Sequence, residues 1–172
     1  PFVQCLDIFG DDITEAVRIA FFDILFKRFR YADLDNRVKV FHNRCTLYER
    51  TNYIISLNRP YSQLKEAYAA ECHVNIRKAS QRGCLFTTDI TIDEVIGLYR
   101  NAYGKYIRGY SDGDYERLKQ LCGQAIQFNR LLACGVVDRN TGEKLLGAFI
   151  FLCPRRVYYT IAAPSGQGRR AR

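Results

Sequence analysis

The 172-residue chain has no uninterrupted apolar run long enough to cross a bilayer. The apolar stretch 16–26 is broken by Arg18 and Asp23 and reads as a buried helix. There is no methionine, and the N-terminal residues lack the charged-then-apolar pattern of a signal peptide. Pro1-Phe2-Val3 reads as the start of a strand, so the expectation is that the chain begins inside a longer protein. Only two histidines occur, His42 and His73, and neither has a Ser, Cys or Asp partner at an informative spacing. No nucleophilic triad is therefore visible, and no general base can be named. No pair among the seven cysteines (Cys5, Cys45, Cys72, Cys84, Cys122, Cys134 and Cys153) has Cys-x-x-Cys spacing, and the count is odd. Zinc sites and disulfide frameworks need closer organisation. The expectation is no metal, seven free thiols mostly in apolar settings, and a cytoplasmic location. Internal repeats and low-complexity segments are absent as well.

Hydrophobic residues make up 48% and charged residues 26%, a globular balance with enough length for one domain or parts of two. The net charge of +8 is uneven. Residues 1–60 hold 9 basic and 8 acidic side chains, whereas residues 61–172 hold 17 and 10. A basic second part suits a phosphate-bearing partner such as coenzyme A or RNA. It suits a solvated surface equally, and an RNA-binding reading rests on charge alone.

The hydrophobic pattern orders the chain. A strand is expected over 2–9 and a helix over 13–29, apolar on two faces and hence buried between layers. Short extended pieces are expected at 38–41 and 53–57. Pro60 opens a helical pattern through Tyr61, Leu64, Tyr68, Cys72, Ile76 and Ala79 up to Gly83, with a break near His73. A strand follows at 84–88. Thr91-Ile-Asp-Glu94 has the form of a capping box for a helix striped by Ile92, Val95, Ile96, Tyr99 and Tyr103. Ser111 or Asp112 caps the next, striped by Tyr115, Leu118, Leu121, Cys122, Ala125 and Ile126. After Asn129 the period becomes two. Strands are expected at 131–137, 145–153 and 157–163, joined by short turns at Asn140-Thr-Gly142 and Pro154-Arg-Arg156, which implies an antiparallel meander.

Strand, helix, helix, three strands and then Ala163-Pro-Ser-Gly-Gln-Gly168-Arg-Arg170 is an order similar to the GNAT acetyltransferase fold up to its donor-binding loop. Glycines there let the backbone approach a pyrophosphate, and amides at a helix start point at the anion. Gly166-Gln167-Gly168 fits the Gly-x-Gly part of that loop; Ala163 stands where the family prefers Gln or Arg. Phe2-Val-Gln-Cys-Leu-Asp-Ile-Phe9, Thr51-Asn-Tyr-Ile-Ile-Ser-Leu57, Asn75-Ile-Arg-Lys-Ala79 and Val157-Tyr-Tyr-Thr-Ile-Ala-Ala-Pro164 resemble segments of FemAB-like proteins, which carry two such domains in tandem. The resemblance implies an α/β fold, a GNAT-like, largely antiparallel mixed sheet flanked by helices, in two incomplete half-domains. Residues 1–59 would be the later part of a first domain, 60–83 a connecting helix, and 84–172 the first half of a second, ending in the donor loop.

The implied activity is acyl transfer from acetyl-CoA or another acyl-CoA to an amine acceptor. An aminoacyl-tRNA donor of the FemAB type and a non-catalytic binding module with the same fold remain alternatives. The expected donor-binding residues are Ile161, Ala163, Gly166, Gln167, Gly168 and Arg169. The glycines could equally be an ordinary turn, and Arg169, Arg170 and Arg172 a solvated helix start, although three cations there oppose the helix dipole unless an anion is present. Arg77 and Lys78 read as a solvated helix face. Tyr158 and Tyr159 alternate sides of one strand, so one should face the core and the other a cleft, where a phenol could act as a general acid. Neither the acceptor nor the oligomeric state is legible.

Overall fold

The computed structural model describes residues 12–30, 44, 46, 48, 51, 53–107, 109–154 and 156–170. The strands expected at 2–9 and 38–41 lie outside the described residues. The chain divides into two compact units, Val3–Ser56 and Leu57–Arg172, the latter grouped with the first two residues.

In the first unit, helix α1 (Glu15–Arg28) begins where the Thr14 hydroxyl accepts from the Val17 amide at 3.3 Å. Glu15 lies in its first turn and Lys27 and Arg28 in its last, the signs the helix dipole favours. The expectation of a helix buried on two faces is not met. Phe22 is its one buried residue, stacked near Phe26 at 6.3 Å, and Val17, Phe21 and Ile24 are exposed. An apolar pattern requires a covering surface only where neighbouring elements supply one. The segment 53–57 is not a strand either: Tyr53, Ile54 and Ile55 are exposed, and no ladder pairs them among the described residues. β-branched and aromatic residues favour a strand only where a partner satisfies the backbone.

The second unit opens with α2 (Tyr61–Glu66) and α3 (Ala70–Gln81). The helical pattern of 60–83 is broken at 67–69 and not at His73, which lies inside α3. The break brings the rings of Tyr68 and His73 to 5.8 Å. Gly83, at φ +80°, ends α3 and admits β1 (Cys84–Thr87). Then come α4 (Ile92–Tyr103), α5 (Asp112–Gln127), β2 (Leu131–Asp138), β3 (Lys144–Cys153), β4 (Arg156–Pro164) and the short α6 (Gly166–Arg170). The sheet has the order β1-β2-β3-β4, every pair antiparallel, so the meander expected from the period change is present. The fold is mixed α/β, and no helix among the described residues is long and apolar enough to cross a membrane.

Local chemistry accounts for the boundaries. Asn129 takes φ +52° after α5; its amide reaches the Ile126 carbonyl and the Arg130 amide the Ala125 carbonyl, satisfying groups a helix end leaves open. In the β2–β3 turn the Asp138 carboxylate accepts from the Asn140 and Thr141 amides, while Gly142 supplies φ +72°. The sheet packs one face against both long helices: Leu131, Phe149 and Ile161 meet Val95 and Ile96 of α4 and Tyr115, Leu118 and Cys122 of α5 in one buried cluster.

The capping box of α4 is complete. The Thr91 hydroxyl accepts from the Glu94 amide at 3.1 Å, and the Glu94 carboxylate accepts from the Thr91 amide at 2.7 Å. These bonds, first from the Thr91 backbone and then from its side chain, hold the Glu94 carboxyl below its ordinary 4.5. A carboxyl with a depressed folded pKa adds stability above its unfolded value, and that increment disappears as pH falls through the folded value. Thr91→Ala should therefore cost about 1 kcal/mol at neutral pH. The gap from wild type should narrow as urea melts are repeated down through the carboxylate range. A gap independent of pH would separate the cap from Glu94 ionisation.

Candidate functional site

Among the described residues β4 is an edge strand of the sheet, and it is irregular. Phe149 pairs with Ile161 and Ile150 with Tyr159, which leaves Thr160 as an extra residue. Its hydroxyl donates to the Phe149 carbonyl at 3.3 Å. Such bulges bend an edge and re-aim side chains. Beyond the bulge Ile161 and Ala163 turn into the helix-covered face, 3% and 0% exposed. Before it, Tyr158 and Tyr159 pair with Phe151 and Ile150 and so lie on opposite faces, as expected, but both are exposed and neither enters the core. Burial of part of the ring, with Tyr103 and Cys134 adding smaller effects, raises the Tyr159 phenol above its ordinary value.

Pro164 ends the strand, and Ser165 caps α6. The Ser165 amide donates to the Leu145 carbonyl at 2.8 Å and its hydroxyl accepts from the Gly168 amide at 3.0 Å. Leu145 is itself the extra residue of a β3 bulge opposite Val136 and Val137. Gly166 and Gln167 are exposed. Gly168 sits directly on β3: a Cβ there would lie 2.0 Å from the Leu145 carbonyl oxygen. Arg169, expected to face donor phosphates, turns back, donating from its guanidinium to the Ala102 carbonyl at 2.9 Å and lying 5.8 Å from the Tyr103 ring centre.

No family model, curated protein or solved structure matches the chain.

The six expected donor-binding residues thus fall into two groups. Gly166 and Gln167 present an exposed helix start, whereas Ile161, Ala163 and Gly168 are packed and the exposed Arg169 is tied back to α4. Ala163 pairs with Gly147, where a Cβ would come within 3.1 Å of Ile90, Val95 and Leu98; small residues at this pair let α4 lie close to the sheet. A long Gln or Arg at the buried position 163 would not fit. The contributions of Ser165, Leu145, Ala102 and Tyr103 went unforeseen. Only Ser165 had a local signal, a serine three residues before Gly168 at a helix start.

Elsewhere, Arg77 and Lys78 are exposed on α3. Of the described cysteines, all free, Cys122 and Cys134 are buried, Cys72 and Cys84 half-buried, and Cys153 exposed. Burial pushes the Cys122 thiol up to about 11 and leaves it unreactive. A shallow depression of about 310 Å³ is lined by Cys153, Pro154, Arg156 and Tyr158. It lies at the β3–β4 turn, at the far end of β4 from the Gly-x-Gly helix start. No group of three His, Cys, Asp or Glu side chains among the described residues could hold a metal ion.

Proposed function

We propose that this chain carries the donor side of a GNAT-like acyltransferase, moving an acyl group from an acyl-CoA to an amine. β4 carries the reading: an edge strand, bulged at Thr160, runs straight into a serine-capped Gly-x-Gly helix start. The first amides of a helix have no acceptor within it, so those of Gly166 and Gln167 are available to a pyrophosphate. Edge bulges are over-represented beside active sites. An amine attacking a thioester needs little covalent help; orientation and a donor for the developing oxyanion suffice. The basic balance of residues 61–172 suits the same anionic donor.

Gly166→Glu is the discriminating variant. Nothing lies within 4 Å of a Cβ at this position, and an acid in the first turn suits the helix dipole, so the fold should tolerate it. A carboxylate beside the pyrophosphate should weaken coenzyme A at least tenfold, roughly 1.4 kcal/mol. Calorimetry of both proteins with coenzyme A decides: equal affinities would remove the helix start from the donor site. A second reading, a binding module without catalysis, is favoured by Ala163 in place of Gln or Arg. Coenzyme A binding without acyl transfer to any amine of a mixed panel would select it.

A further inference from the structure

The Gly-x-Gly turn is held from two sides. On one, Ser165 and Gly168 are seated on the Leu145 carbonyl of β3. On the other, the Arg169 guanidinium reaches a carbonyl 67 residues upstream, that of the buried Ala102. Ala102 is in the last turn of α4, where carbonyls lack intrahelical partners and the dipole favours a cation. The same guanidinium faces the Tyr103 ring, which is backed by Tyr99 at a ring separation of 5.3 Å. A planar fork committed to a carbonyl and a ring face is poorly disposed to grip phosphates as well.

We infer that Arg169 is a positioning residue that clamps the candidate donor loop to the C-terminal end of α4, and is not itself a ligand of the donor phosphates. This rests on the donor-site reading above. Arg169 then acts through Ala102 and Tyr103, and the exposed start of α6 at Gly166 and Gln167 keeps its place because the clamp sets the direction of α6.

The full chain is titrated with coenzyme A as wild type, Arg169→Ala, Arg169→Lys, Tyr103→Leu, Tyr103→Phe and the Arg169→Ala/Tyr103→Leu double variant. Arg169→Ala and Tyr103→Leu should each weaken binding by a similar factor, about three- to tenfold, and the double variant should be no worse than either. Lysine should not rescue position 169, because it keeps the charge and loses the planar fork. Phenylalanine should rescue position 103, because it keeps the ring. The slope of log affinity against log salt should be unchanged in Arg169→Ala. Retained affinity in Arg169→Lys, a salt slope reduced by about one in Arg169→Ala and a silent Tyr103→Leu would overturn the inference and make Arg169 a phosphate ligand. If wild type takes no coenzyme A, the donor reading fails, and hydrogen exchange judges the clamp alone. Faster exchange of the α6 amides in both Arg169→Ala and Tyr103→Leu keeps it; unchanged exchange in both overturns it.

Discussion

Phe149→Ala should destabilise the second unit by about 3–5 kcal/mol. Phe149 is 0% exposed and belongs to the cluster in which Val95 and Ile96 of α4, Leu118 and Cys122 of α5, and Ile161 of β4 also lie. Truncation loses the transfer free energy of the ring and leaves a cavity that three other elements, α4, α5 and β4, would have to move to fill. Interiors are close-packed, so that collapse is incomplete. The same ring backs the bulged stretch of β4 through its pairing with Ile161, so the edge should loosen together with the core. Because the chain has two units, the measurement should report on the second alone, by hydrogen exchange of β2–β4 amides across a urea series. Phe86→Ala is the control. Phe86 is 70% exposed on β1, and its truncation should stay within about 0.5 kcal/mol. Comparable losses for the two variants would mean that Phe149 is not the centre of the core.

Gly168→Ala is expected to cost about 1–3 kcal/mol although it adds only a methyl group. The added carbon would stand 2.0 Å from the Leu145 carbonyl oxygen and 2.9 Å from its carbon, both backbone atoms that no rotamer change can move aside. Relief requires α6 to shift off β3. That shift would stretch the bond from the Ser165 amide to Leu145 and the bond from the Gly168 amide to the Ser165 hydroxyl. The loss should appear first as faster exchange of the α6 amides. Gly166→Ala, two residues away in open space, should instead be neutral or stabilising by up to about 1 kcal/mol, as expected for alanine replacing glycine in a helix. If both alanines behave alike, close approach to Leu145 does not explain Gly168. The contrast also bears on function. An acid at 168 would disturb packing and phosphate binding at once, while an acid at 166 tests the phosphate alone.

What the sequence determined by itself was set by interactions reaching three or four residues. Thr91 and Glu94 cap α4 because a hydroxyl and a carboxylate at that spacing can reach each other's amides. Gly142 closes the β2–β3 turn because its backbone tolerates positive φ. The change from a helical period to alternation at Leu131 marks β2, and the short turns that follow force an antiparallel meander. Distant partners decided the rest. The segment 53–57 has strand-forming residues and no ladder among the described residues, and α1 has apolar faces that stay largely exposed, since a pattern states a preference and not a neighbour. Thr160 became a bulge only through the register of β4 against β3, which no window along one strand contains. Gly168 and Arg169 read as residues facing a phosphate because their own neighbours are glycine and arginine. Tertiary structure brought the Leu145 carbonyl under one and the Ala102 carbonyl to the other, across separations that chain closure, not local propensity, must bridge.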